Sequence, residues 1–211
     1  MGTVNYEILY TFMLATMALS ISPGPDNIYV LMQSLVNGKK YGLATTAGLI
    51  SGCLVHTSLL AFGVSIIIKE SETLFFGIKV LGAIYLFYLA FKVFRSSGSL
   101  DLTEGAVPKK GLWKLFKQGF IMNVLNPKVT IFFLAFFPGF LFSEEISTMV
   151  QFYVLGLLFM FISFIVFSLI AILSGSISVY FKENSATGIY LKWLQIIVFV
   201  GIAVYILVSD N

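Results

Sequence analysis

Cysteine and histidine each occur once in the 211 residues, as Cys53 and His56. That scarcity excludes a disulfide scaffold, a CxxC redox relay and a zinc site built on Cys/His clusters. Charge is short too: Asp, Glu, Lys and Arg make up 11% of the chain, against about 25% in a soluble domain. Twenty-three such side chains cannot cover a water-soluble fold of this length. No GxxxxGK[ST] segment occurs, so the chain carries no ATP-binding loop of that type. A net charge of +3 does not make a nucleic-acid surface, because the basic residues fall in loops beside apolar spans.

What is abundant is apolar: 58% of residues, with a mean hydropathy of +0.96. A bilayer core needs roughly 20 apolar residues per helix, and six such stretches are found, near 7–36, 42–68, 73–95, 113–142, 149–175 and 189–208. The runs are continuous rather than alternating, which favours helices over a β-barrel. The fold class expected is all-α, a polytopic membrane protein with six transmembrane helices.

The N-terminal stretch has no basic residue and no small-residue cleavage site, so the first span is expected to stay in the protein. Lys39 and Lys40, then Lys92, Arg95, Lys109, Lys110, Lys114 and Lys117, then Lys182 and Lys192 fall in alternate connections. Lys69 and Lys79 flank the second connection, and the connection holding Glu144 and Glu145 has no base. Basic loops mark the cytoplasmic side, which puts both termini outside.

Two of the six stretches are about 30 residues long and are interrupted near the middle, by Ser22-Pro23-Gly24-Pro25-Asp26-Asn27 and by Asn123-Val124-Leu125-Asn126-Pro127-Lys128. Proline removes an amide donor and pushes its predecessor out of helical geometry. Aligning Pro23 with Pro127 sets ISPGPDNI against LNPKVTIF, and KVLGAIYLFYLAF (79–91) loosely matches KWLQIIVFVGIAV (192–204). The chain therefore reads as a duplicated three-helix unit. Residues 1–95 form the first repeat, 96–111 a polar cytoplasmic linker and 112–211 the second. Three spans is an odd number, so the copies run in opposite senses, the inverted-repeat plan of secondary transporters with broken helices 1 and 4. The competing reading is a pair of simple kinks. Ala44, Gly48 and Gly52 form a small-residue stripe that lets helices approach closely, and glycine-lined faces are compatible with a homodimer.

An interrupted helix in lipid frees backbone groups that must find polar partners. The second half of the first broken helix begins near Asp26, so its N–H groups and dipole suit a carboxylate, while Asp26 suits an ammonium group or a proton. A zwitterion satisfies both. Asp26 and Lys128 are the charges expected at membrane depth, where ionisable residues default to function. They form either a buried ion pair or a site at which substrate and proton compete. Candidate substrate-binding residues are Pro23, Gly24, Pro25, Asp26, Asn27, Asn123, Asn126, Pro127 and Lys128; Asp26 and His56 are candidates for proton coupling. Tyr29, Tyr85 and Cys53 read as packing residues. No cofactor is implied and no metal site is expected.

The string SPGPDN, the run SLVNGKKYGLATTAG (34–48), the segment GFIMNVLNPKVTIFFLAFFPGF (119–140) and LGAIYLFYLAFKVFR in the third span together resemble the LysE/RhtB family of amino-acid efflux translocators. The likeness covers nearly the whole chain. It implies export of lysine, arginine, homoserine, threonine, leucine or related amino acids from a bacterial cytoplasm across the inner membrane. Coupling would be to protons or the membrane potential. The family's first motif falls on Pro23, Gly24, Pro25 and Asp26, its second on Asn126, Pro127 and Lys128. The alternative is export of a divalent cation such as Cd²⁺. A channel would need a continuous polar stripe that spans five and six lack. An intramembrane protease would need a second carboxylate or a nucleophile beside His56.

Overall fold

The computed structural model describes residues 4–96, 109–183 and 186–208, and is helical, with no strand among them. Most of the 96–111 linker lies outside the described residues. The elements are α1 (Tyr6–Ile21), α2 (Pro25–Asn37), α3 (Lys39–Leu59), α4 (Ser65–Glu70), α5 (Glu72–Arg95), α6 (Leu112–Val124), α7 (Pro127–Phe136), α8 (Thr148–Ile172), α9 (Ser174–Glu183) and α10 (Ala186–Val208). A π-helical turn, Leu60–Val64, joins α3 to α4, and a 3₁₀ turn, Phe137–Phe140, extends α7. Four helical stretches are long and apolar enough to cross a membrane; counting α1 with α2, and α6 with α7, makes six. The two composite spans are bent by 58° and 53°. Helices 1 and 4 are broken, as the proline clusters predict.

Each break has a local cause. Pro25 and Pro127 occupy the first turns of α2 and α7, where a missing N–H costs nothing, behind the extended residues Gly24 and Asn126. Asn5 caps α1 by accepting from the amides of Glu7 and Ile8 at 3.1 and 3.3 Å. Between α2 and α3 a single residue, Gly38, makes the whole turn at φ 100°, a region that a side chain would strain. Ser71 performs the corresponding reversal between α4 and α5, capping the Leu74 amide at 3.2 Å.

The two ends of the bundle differ in charge. At one end Lys40 and Lys109 flank the Tyr41 ring at 5.3 and 5.8 Å, and Lys192 donates to the Ser96 carbonyl at 2.7 Å. These contacts gather the starts of α3, α6 and α10 with the end of α5. At the other end the Asn5 amide donates to the Phe142 carbonyl at 2.9 Å. Gln151, only 2% exposed, fastens the same loop: its Oε1 accepts from the amides of Phe142 and Ser143, and its Nε2 donates to the carbonyls of Ser143 and Ile146. Glu144 and Glu145 belong to that loop.

Close packing follows small residues. A β-carbon on Gly48 would collide with the Phe116 backbone, and one on Gly119 with that of Thr45, so α3 and α6 touch backbone to backbone. Phenylalanines fill the space toward the acidic end: Phe132 stacks on Phe136 at 4.4 Å, Phe133 on Phe137 at 4.2 Å, and Phe12 packs against Phe136, Phe137 and Phe140.

Two expectations need correction. Lys79 does not flank the second connection; α5 begins at Glu72, two turns earlier, and Lys79 is buried at 7% exposure with its ammonium 5.8 Å from the Phe75 ring. The fifth stretch, expected over 149–175, stops earlier. Helix α8 ends at Ile172, and a separate helix, α9, begins at Ser174. Ser174-Gly175-Ser176 carries no proline to announce that break.

Candidate functional site

The breaks meet. A cavity of ≈ 70 Å³ lies between them, roughly five times the 10–15 Å³ that one water requires. Of the nine predicted binding residues, Gly24, Pro25, Asp26, Asn27, Asn123, Asn126 and Lys128 line it. Pro23 and Pro127 do not line it; they shape the turns behind it.

Asn126 joins the two broken helices. Its Oδ1 accepts from the Lys128 amide at 3.0 Å, capping α7, and its Nδ2 donates to Asp26 Oδ2 at 3.2 Å. One amide thus satisfies a helix end and a carboxylate at membrane depth. Asn27 spans the first break, donating to the Ser20 carbonyl at 2.7 Å. No side chain caps α2, and its first residues, Pro25, Asp26 and Asn27, line the cavity.

Asp26 and Lys128 share the cavity but form no direct ion pair among the described residues. The Lys128 ammonium stands 4.9 Å from the centre of the Phe199 ring, beside Gly24, where an added β-carbon would lie 3.4 Å from Nζ. Aligning Pro23 with Pro127 makes Gly24 and Lys128 equivalent positions, and here they are neighbours.

His56 is not among the lining residues. It is 3% exposed and donates from Nε2 to the Asn123 carbonyl at 3.2 Å, its ring 5.4 Å from Phe133. It therefore satisfies a carbonyl in the last turn of α6. Its Nδ1 has no partner in the described structure.

The sequence reading missed several wall residues. Cys53, expected only to pack, lines the cavity with Sγ 3.8 Å from Asn123 Oδ1. Ser20 and Ser163 close it with hydroxyls 2.9 Å apart. Leu49, Ile50, Val129, Phe132, Phe159 and Phe167 make the remainder mostly apolar. Proximity to a break found the first set; nothing in a uniformly apolar helix marks which face reaches a cavity. Tyr29 accepts from Gln33 at 2.9 Å and does not line the cavity. No group of three or more His, Cys, Asp or Glu suited to a metal ion occurs among the described residues.

Paired helix breaks, a small cavity carrying one carboxylate and one ammonium, and up to six apolar spans define a multi-spanning membrane protein built around a polar centre. The chain belongs to the LysE type translocator family, whose pattern it matches over residues 17–210. It is 29% identical over 180 residues to a homoserine/homoserine lactone efflux protein of Salmonella typhimurium, covering 85% of this chain and 86% of that one. It is 32% identical over 178 residues to a leucine efflux protein of Salmonella choleraesuis, covering 83% and 81%. No solved structure matches it.

Proposed function

We propose that this protein exports amino acids across the bacterial cytoplasmic membrane as a secondary carrier, driven by protons or the membrane potential. The observation that carries the reading is the single cavity holding Asp26 and Lys128 at the meeting of two interrupted helices. An amino acid presents an ammonium and a carboxylate on one carbon. Asp26 suits the first; Lys128 and the uncapped start of α2 suit the second. The relatives' own activities, homoserine or homoserine lactone efflux and leucine efflux, point the same way.

Opposite charges held at membrane depth without a direct ion pair leave room for a guest between them. Asp26 then alternates between binding the substrate amine and binding a proton, which couples the two fluxes. His56 acts by position, holding the Asn123 carbonyl and so the shape of the second break. Pro25 and Pro127, each the first helical residue after a break, hold matching places and set Asp26 against Lys128, which supports two inverted three-helix halves related by an axis through the cavity. The basic end of the bundle faces the cytoplasm on this reading, with both termini outside.

The test is efflux from proteoliposomes preloaded with a panel of amino acids or Cd²⁺, with and without a proton gradient. Gradient-dependent loss of neutral amino acids is expected. Movement of Cd²⁺ with no amino acid would replace the reading by its alternative, cation export.

A further inference from the structure

A second and larger space opens beside the cavity. It measures ≈ 600 Å³, lies between α2, α5 and α10, and shares Gly24, Pro25, Asn126 and Lys128 with the inner cavity. Its walls are two helical stripes. On α5, Tyr85, Leu89 and Lys92 follow one another down a face, and on α10 Lys192, Gln195 and Phe199 do the same. Each stripe spans eight residues, a rise of about 10 Å along the helix. Lys92 and Lys192 stand at the mouth, on the basic end of the bundle, and Lys128 stands at the floor over Phe199.

We propose that this vestibule is the loading site for the substrate's carboxylate, entered from the basic end, and that it disfavours amino acids with a cationic side chain. The proposal rests on the export reading above. Three lysines and no Asp or Glu occur among the described residues lining it. Low-dielectric walls lined by one sign of charge focus the field and raise the local concentration of the opposite charge. Lys192 is held in place, donating to the Ser96 carbonyl at 2.7 Å with its ammonium 5.6 Å from the Phe94 ring. Tyr85 and Gln195 supply neutral polar contacts between mouth and floor.

The passage inward runs past Gly24, the residue with the smallest side chain, lying against the Lys128 ammonium. A carboxylate arriving from the mouth meets Lys128 before the amine meets Asp26. Beyond the cavity the way is shut by Phe132 and Phe159, whose rings lie 5.8 Å apart within the phenylalanine cluster. The vestibule therefore serves one face of the membrane. A lysine or arginine substrate would bring its extra cation past three ammonium groups and find no second carboxylate among the described residues lining the cavity.

Thiol labelling tests this without requiring transport. In a Cys53→Ser background, Gln195→Cys in the full-length protein is exposed to two impermeant methanethiosulfonates, one anionic (sulfonatoethyl) and one cationic (trimethylammonioethyl), in sealed vesicles of either orientation. Lys109→Cys serves as the marker of the basic end. Labelling is expected from the marker's side only, about tenfold faster with the anionic reagent. The preference should vanish in the Lys92→Gln/Lys192→Gln double variant. Leu89→Cys provides a second reporter on α5 should Gln195→Cys not fold. Equal rates for the two reagents, or labelling from the opposite side, overturns the proposal. In efflux assays, lysine competing with leucine as well as methionine does would overturn it too. Failure of every amino acid to move, with the anion preference intact, would instead overturn the export reading alone.

Discussion

Asn126 is the side chain on which both broken helices depend, and replacing it separates its two jobs. In Asn126→Ala the cap on the Lys128 amide and the donor to Asp26 disappear together. Losing an N-cap costs about 1 kcal/mol, and losing a hydrogen bond to a charged group about 1.5–3 kcal/mol. The sum, about 2.5–4 kcal/mol, should lower the Tm by roughly 5–16 °C at 2–4 °C per kcal/mol for a chain of this size. Asn126→Asp keeps the capping oxygen but turns the donor into a second carboxylate. Two such charges 3.2 Å apart repel by about 5 kcal/mol at an effective dielectric of ~20, less the share screened at this half-buried site. Asn126→Ser retains a cap and removes only the bridge. The order of Tm should be wild type, then Ser, then Ala, and leucine counterflow in proteoliposomes should fall at least tenfold in Ala and Asp. An Asp variant with wild-type counterflow and Tm would refute the bridging role of Asn126.

Three further outcomes are expected. Asp26→Asn should remove proton-driven efflux while leaving the protein inserted and its thermal unfolding nearly unchanged; full gradient-driven efflux by the variant would take Asp26 out of the mechanism. Gly48→Ala should destabilise by about 1–3 kcal/mol through overpacking against the Phe116 backbone, whereas Gly201→Ala, with nothing within 4 Å of its β-carbon, should not; detergent melting curves compare the two. His56→Gln should retain transport by keeping a donor toward the Asn123 carbonyl, and His56→Phe should lose stability by about 0.5–1.5 kcal/mol for one hydrogen bond lost, since that carbonyl still accepts from the Asn126 amide at 3.0 Å. Loss of transport in His56→Gln with an unchanged Tm would make His56 a proton carrier instead.

The spans, the two breaks and the gathering of seven of the nine candidate residues around one cavity were legible because each rests on chain chemistry: apolar length, and proline beside polar residues. Pro23 and Pro127 were the signposts and not the walls, since a ring that breaks a helix is held at the turn it makes. Less legible was everything set by helix rotation. In water an amphipathic stripe reveals which face is buried; in lipid both faces are apolar, so Cys53, Ser163 and Phe159 look like any other positions. Tyr85 was read as packing for the same reason, although its face of α5 borders the vestibule. Lys79 shows a different limit, because counting charges near a loop does not tell whether the side chain turns inward. The start of α9 was hidden because serines and a glycine can end a helix without any single residue that must.

The rings of Phe132, Phe136 and Phe140, and of Phe133 and Phe137, recur every fourth residue along one short segment. Such a ladder resists opening rung by rung, since turning one ring leaves its neighbours stacked and gains no passage. On the export reading, the slow step of release is expected to be the movement of this ladder and not of the cargo. Different solutes should accordingly share one ceiling velocity with a steep temperature dependence, and differ only in the concentration at which they reach half of it.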